Sequence, residues 1–354
     1  MAPLHVALLA NLKKNAPLLP GMPEDYWADL DSKYTVDAIA EALRQRGRRV
    51  TFLEGDATLY DRLREVQPDI CFNICEGHFG DAREAQVPAL LEMLRIPYTG
   101  SKVLTLALTL DKPMTKRVLT FHGLPTPPFQ VFERAHEPLD PELSFPLFVK
   151  PSGQGTGMGI SAQSIVRAKD QLRAQVERML EAYQEPVLVE RFISGRDVTV
   201  GIVGNLHPPV AWRTPENEAA PRIVRGLNFL PPLEIGLGAY AEAEGWVYTG
   251  RAKVELADKL DYICPAPLSA DQVEELNWLA AATFRVTGCL DVARVDFRLD
   301  EADGDRPYIL EVNPLPGLSP GISDLVIEAQ SADIDHAELV NLILEAALER
   351  YGMI

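Results

Sequence analysis

Two segments late in the chain, Ala293-Arg-Val-Asp-Phe297 and Ile309-Leu-Glu-Val-Asn313, alternate apolar and polar side chains with the period of a β-strand. The connection from Asp300 to Arg306 contains Asp303-Gly304, a turn signal, so the two segments predict a hairpin. Folding about that turn sets Asp296 opposite Glu311 and Arg294 opposite Asn313, with side chains about 5 Å apart. Val295, Phe297, Leu310 and Val312 are then expected on the other, buried face. One side of one hairpin thus gathers two carboxylates, an amide oxygen and a guanidinium. Hard oxygen ligands of this kind suit Mg²⁺ bridging nucleotide phosphates, and an arginine beside them suits developing negative charge. A solvated sheet face with a cross-strand ion pair is the plainer reading of the same residues.

A second constellation is Phe145-Pro-Leu-Phe-Val-Lys150-Pro-Ser-Gly153-Gln-Gly155-Thr156-Gly157-Met-Gly159. Glycine at every second position lets the backbone turn and brings its N–H groups close to a phosphate. The lysine precedes the loop at a strand end, and the spacing matches neither the P-loop nor the dinucleotide fingerprint. A merely flexible hairpin tip would not explain the adjoining lysine. Just after the charged hairpin comes Pro314-Leu-Pro316-Gly317-Leu-Ser319-Pro320-Gly321. Its prolines fix the backbone, while Gly317 can offer a bare N–H to a reacting carbonyl; a rigid surface turn is the alternative.

The rest of the chain sets these pieces in order. Short apolar runs at His5–Ala10, Arg49–Leu53 and Asp69–Ile74 read as strands. Helical spacing at Val36, Ile39, Ala40, Leu43 and at Val87, Leu90, Leu91, Leu94 falls between and after them. Strands alternating with helices indicate a parallel sheet, in a first unit ending near residue 103. Asp111–His122 is basic and helix-like, and 205–267 is rich in proline and glycine with little period, as lid or loop material is.

With 354 residues the chain is long enough for two or three domains. Its 34 Lys+Arg against 51 Asp+Glu give a net charge of −17, which argues against a nucleic-acid backbone or an anionic membrane as partner. No apolar run approaches the ~18–20 residues of a membrane span. Cys71, Cys75, Cys264 and Cys289 lack paired metal-ligand spacing and read as free thiols of a cytoplasmic protein.

Taken together, Lys150 with the glycine loop, Val189-Glu190-Arg191-Phe192, Gly195-Arg196-Asp197, Ala293–Phe297 and Glu311-Val-Asn313 closely resemble the ATP-grasp superfamily. Pro97-Tyr98-Thr99-Gly100-Ser101, Leu110-Asp111-Lys112-Pro-Met-Thr-Lys116 and Gly123-Leu-Pro-Thr-Pro-Pro narrow this to a likeness to the D-alanine–D-alanine ligase family. The resemblance implies an α/β chain, α+β in its ATP-binding part, with the ATP-grasp fold in three domains. These are an N-terminal parallel-sheet domain over 1–103, a central subdomain with the glycine loop over 104–190, and a C-terminal domain over 191–354 with the metal site and lid-like loop.

By the same resemblance, Lys112, Lys150, Gly155, Gly157, Glu190 and Asp197 would hold ATP, and Asp296, Glu311 and Asn313 two Mg²⁺ ions, with Mn²⁺ an alternative. Arg294 and the Gly317 N–H would form the oxyanion hole, and Thr156 and Lys253 would close over the intermediate. The implied reaction joins a small-molecule carboxylate to an amine, both of amino acids, through an acyl phosphate; the family is often homodimeric.

Some family features are missing. The N-terminal Glu-x-Glu-Val-Ser that anchors the first substrate's ammonium is replaced by Asp25-Tyr-Trp-Ala-Asp29-Leu-Asp31. The His-Gly pair appears as Glu76-Gly77-His78, with His78 either a substrate contact or a solvated loop residue. The lid's Lys-Tyr becomes Lys253-Val254, and the loop's serine pair becomes Thr156-Gly157. Ile322 aligns with the serine for the second carboxylate, with Ser319 and Ser323 nearby. A ligase of some other amino acid or metabolite carboxylate, and a nucleotide-binding module without catalysis, are the other two readings.

Overall fold

The computed structural model describes residues 3–354 except 19, 208–223, 243–246, 250–251, 253–255 and 257–258. Among the described residues, three sheets follow one another along the chain. The first is parallel, in the order β2–β1–β3, with β1 at His5–Ala10, β2 at Arg49–Glu54 and β3 at Ile70–Asn73. Every residue of β1 is buried, as befits a central parallel strand with helices on both faces. Helix α1 (Lys33–Gln45) begins where the Ser32 hydroxyl accepts from the Thr35 N–H at 3.1 Å. It buries Val36, Ile39, Ala40 and Leu43, the stripe their spacing predicts. Helices α2 (Leu59–Val66) and α3 (Gln86–Leu94) complete the unit, and Tyr98 adds a parallel bridge to Cys71.

Helices α4 (Val103–Leu110) and α5 (Lys112–Phe121) meet at Asp111, whose carboxylate accepts from the Met114 N–H at 2.9 Å and caps α5. The second sheet is antiparallel, in the order β4–β7–β5–β6. Its strands are β4 (Phe129–Phe132), β5 (Leu147–Pro151), β6 (Ile165–Val166) and β7 (Val187–Arg191), and α6 (Lys169–Tyr183) shares their core.

The third sheet runs β11–β10–β8–β12–β13, with β9 also on β8. These strands are β8 (Gly195–Gly204), β9 (Leu227–Phe229), β10 (Leu233–Gly236), β11 (Asp261–Ile263), β12 (Val292–Asp300) and β13 (Arg306–Asn313). Helix α7 (Ala270–Thr287) covers one face, and Leu276, Leu279 and Phe284 share a core with Val200, Val295 and Phe297. Strands β9 to β11 lie in the segment whose sequence reads as loop. Strands of three or four residues broken by proline and glycine leave no period to read.

The β12–β13 hairpin has the register its alternation predicts, with Arg294 opposite Asn313 and Asp296 opposite Glu311. One expectation is corrected. Pairing then passes from Asp296–Glu311 to Phe297–Ile309, so Leu310 is the extra residue of a bulge. Ile309 takes the core position, fully buried, and Leu310 instead lines a cleft on the opposite face. Val295, Phe297 and Val312 are buried as expected.

Helices α8 (Asp324–Ser331) and α9 (His336–Arg350) end the chain. Helix α9 returns to the first unit: Asn341 Nδ2 donates to the Ala42 carbonyl at 3.0 Å, and Leu339, Ile343 and Leu344 share one core with Val6, Leu8 and Val36. The buried Asp291 ties the units together. Its carboxylate accepts from the Gly100 N–H at 2.8 Å, Asn205 Nδ2 at 2.9 Å and Arg350 Nη2 at 2.7 Å. All four cysteines are free. No helix among the described residues is long and apolar enough to cross a membrane.

Candidate active site

An open cleft of about 900 Å³ is walled by β5 and β7 on one side and β8, β12 and β13 on the other. Phe148 and Phe192 stack across its apolar part, ring centroids 6.4 Å apart at 26°, and Ile235, Phe297 and Leu310 add to it. A flat heteroaromatic ring fits such a slot. Farther in, the buried Glu190 pairs with Lys116 Nζ at 2.8 Å and Lys150 Nζ at 2.7 Å. Burial pushes the Lys116 ammonium down to about 8, and it remains charged at neutral pH. Burial also opposes ionisation of Glu190, but the two lysines outweigh it and hold the carboxyl below its ordinary value. Asp197, on the cleft wall, accepts from Arg298 Nη1 at 2.7 Å.

The glycine loop after β5 is pinned from several directions. Gly153 N–H donates to Glu185 Oε1 at 2.8 Å, and Gly159 N–H to Asp25 Oδ2 at 2.9 Å. Arg83 Nη1 donates to the Gly153 carbonyl at 3.0 Å, and Lys112 Nζ to the Gln154 carbonyl at 2.5 Å. Gly157 and Gly159 have φ of +71° and +72°, and Thr156 just before them has φ of +50°. A β-branched residue there costs about 1–3 kcal/mol, a strain this pinned loop maintains at the tip.

A second cleft, of about 1620 Å³, shares Lys112, Tyr248, Glu311 and Asp324 with the first. Gly155, Thr156, Arg294, Asn313, Gly317, Ser319, Ile322 and Ser323 line it. Arg294 donates Nε and Nη2 to the two Asp296 oxygens at 2.8 and 3.0 Å, and lies 3.3 Å from Asp324. Burial disfavours its charge, but Asp296 and Asp324 hold its pKa above the ordinary guanidinium value. The Ser323 hydroxyl accepts from the Ser319 N–H at 2.9 Å, folding the loop back beside the exposed Gly317.

The far end of this cleft is acidic, with Asp29, Asp31, Glu76 and Glu84. Arg83 answers only part of that charge, through a 2.9 Å pair with Asp29. Burial, then Asp29, raises Asp31 to about 7, and burial raises Glu84 to about 7. A carboxyl raised on folding adds stability below its unfolded pKa of about 4 and loses it as pH rises through 7. The melting temperature is therefore expected to fall between pH 5 and pH 8, and Asp31→Asn should flatten that slope; an unchanged slope would clear Asp31 of the effect.

Asp296 also accepts from Thr199 Oγ1 at 2.8 Å and from Asn313 Nδ2 at 3.0 Å. Asn313 thus presents its amide nitrogen to Asp296, and Glu311 and Lys112 meet nearby at 3.6 Å. Among the described residues, no group of three or more His, Cys, Asp or Glu side chains is arranged to hold a metal. Two carboxylates and one amide are an incomplete hard-oxygen shell, a donor set suited to Mg²⁺ shared with phosphate oxygens rather than to a cage built wholly of protein.

The clefts and their seam bring together Lys112, Lys150, Gly155, Thr156, Gly157, Glu190, Asp197, Arg294, Asp296, Glu311, Asn313 and Gly317, the expected residues that are described. Lys253 and Val254 lie outside the described residues. His78 packs edge-on against Trp27, centroids 5.5 Å apart, and is not among the residues lining either cleft. Sequence reading gave no role to Lys116, although Lys112 and Lys116 are four apart on one helix, a spacing that puts both on one face. Asp25, Arg83 and Glu185 hold the loop through backbone contacts from distant segments, which leave no local signal.

A nucleotide-shaped slot, a pinned glycine loop and a shared seam of lysines and carboxylates are the layout of an ATP-grasp enzyme. The family model described as D-ala D-ala ligase C-terminus matches residues 118–216 and 237–345. The D-alanine–D-alanine ligase of Pelotomaculum thermopropionicum is 33% identical, over 90% of this chain and 92% of that protein. An uncharacterized protein of Sinorhizobium fredii, y4sG, is 34% identical over 89% of this chain and 88% of its own length. The crystal structure of D-alanine–D-alanine ligase from Bacillus anthracis complexed with ATP covers 99% of both chains with a TM-score of 0.71 at 21% identity, a likeness of fold. The chain belongs to the D-alanine–D-alanine ligase family, whose members are ATP-dependent ligases.

Proposed function

We propose that the chain joins two amino acids, D-alanine by the name its relatives carry, in an ATP-dependent amide-forming reaction. The observation that carries this reading is the seam at Lys112 and Glu311, where a slot for a nucleotide meets a second cleft with room for amino acids. A substrate carboxylate oxygen in the second cleft attacks the γ-phosphorus, the bond to the β-phosphate oxygen breaks, and ADP leaves. The amine of the second substrate then attacks the acyl phosphate carbon. Phosphate departs, the nitrogen loses a proton, and the amide remains.

Each group has a physical task. Lys112, Lys150 and the loop N–H groups at Gly155 and Gly157 take the phosphate charge, while Glu190 keeps both Lys116 and Lys150 in place. Asp197 is placed to meet the ribose. Asp296, Glu311 and Asn313 would hold Mg²⁺, which when bound neutralises phosphate charge. Arg294 and the Gly317 N–H face the position where the tetrahedral oxygen develops its charge. Thr156 at the strained tip covers the acyl phosphate and excludes water. Asp29, Asp31, Glu76 and Glu84 line the end that receives an incoming ammonium, whose charge would favour ionisation of the carboxyls that burial raises. We assign the protein to the cytoplasm on its four free thiols, and infer a homodimer from its family resemblance alone.

ADP release with single and paired D- and L-amino acids, followed by mass spectrometry of the product, tests the reading. ADP and a D-alanyl-D-alanine mass are the expected result. Turnover with other pairs only would overturn D-alanine, and ATP binding without turnover would overturn the ligase.

A further inference from the structure

Behind Arg294, on helix α8, sits Glu328. It is fully buried, and neither carboxylate oxygen makes a hydrogen bond of normal geometry. An orphaned buried carboxylate is costly, so its place in a fold calls for a cause. The sheet supplies the geometry. Gly201 on β8 is the direct cross-strand partner of Arg294 on β12, so a side chain at 201 would stand on the same face as the guanidinium. There is none, and Glu328 fills the room. A Cβ added at Gly201 would lie 2.3 Å from Glu328 Oε2 and 2.5 Å from Leu325 Cδ1. The carboxylate therefore occupies the side-chain position next to Arg294, delivered from a helix rather than from the strand.

Arg294 is at present gripped by Asp296, with Asp324 at 3.3 Å. Yet Asp296 is also one of the hard-oxygen groups at the seam, and it cannot face a cation there and keep both hydrogen bonds to Arg294. Asp324 and Glu328 are the other carboxyl groups beside the guanidinium; burial raises Glu328 well above its ordinary value, and Arg294 is the principal charge that draws it back toward ionisation. We propose that Glu328 is a positioning residue for Arg294, holding the guanidinium in place together with Asp324 when Asp296 turns toward the phosphates. This rests on the role of Arg294 given above; Gly201 and Glu328 form one device, since a larger residue at 201 would expel the carboxylate.

The test compares Glu328→Gln and Glu328→Asp with the parent enzyme in kcat, KM for ATP and melting temperature. Glu328→Gln keeps the shape and removes the group that can ionise beside Arg294. It is expected to lower kcat at least tenfold, leave KM for ATP within about twofold, and leave the melting temperature unchanged or higher, because a buried carboxylate is relieved. Glu328→Asp keeps an ionisable carboxyl and should recover part of kcat. A Glu328→Gln enzyme with kcat within twofold of the parent would overturn the proposal. So would a kcat loss matched by a fall in melting temperature, or no recovery with aspartate in a chain that folds. Absence of ligase turnover in the parent would instead count against the proposed function, while the melting comparison would still report how Glu328 is buried.

Discussion

Glu311→Gln is expected to reduce ADP formation by at least ~10²–10³-fold, the scale on which removing one preorganised electrostatic group acts. The change keeps the shape and removes only the charge. Glu311 stands directly across the hairpin from Asp296, lies 3.6 Å from Lys112 and borders both clefts, so every ligand that meets at the seam meets it. The fold should persist, because the side chain lies on the open face and the core residues Val295, Phe297 and Val312 are untouched. Steady-state ADP release together with circular dichroism checks both parts. Near-normal turnover would remove Glu311 from the phosphate-binding machinery.

The largest effect on stability is expected at Asp291. Its fully buried carboxylate accepts from a backbone N–H of the first unit, an amide beyond β8 and the guanidinium of Arg350 on the last helix. Asp291→Ala leaves Arg350 without its partner and the Gly100 N–H without its acceptor. Breaking a buried pair from one side costs about 3–5 kcal/mol, so the urea midpoint should drop sharply. The double change Asp291→Ala with Arg350→Met should cost less than the sum of the two single changes, since it removes the stranded charge as well. Additive losses would show that the two residues act independently.

The hairpin was legible because strict alternation fixes faces and a turn signal fixes register; both pairings follow from those two facts. Leu310 was not, because a one-residue bulge changes faces without changing composition. The parallel sheet and helix α1 were legible from apolar runs and a helical stripe. The short edge strands β9 to β11 were not, since their stability comes from pairing onto β8 and β10 rather than from any pattern of their own. The same division holds at the site. Residues that act through side chains on strands or in glycine-rich runs leave a local trace. Asp25, Arg83 and Glu185, which hold the loop from 32 to 134 positions away, and Glu328, which stands in for a side chain missing from another strand, do not.

Helix α9 completes the core that β1 begins, with residues as distant as Val6 and Leu348 in one apolar cluster. During synthesis the first sheet therefore emerges with one face only partly covered, by α1, and the rest of that face stays open until residues 336–350 have left the ribosome. Long-range closure of this kind is slow and leaves apolar surface exposed to aggregation meanwhile. In the nascent chain the demand for protection against aggregation is expected to centre on the first sheet and to ease once helix α9 packs onto it.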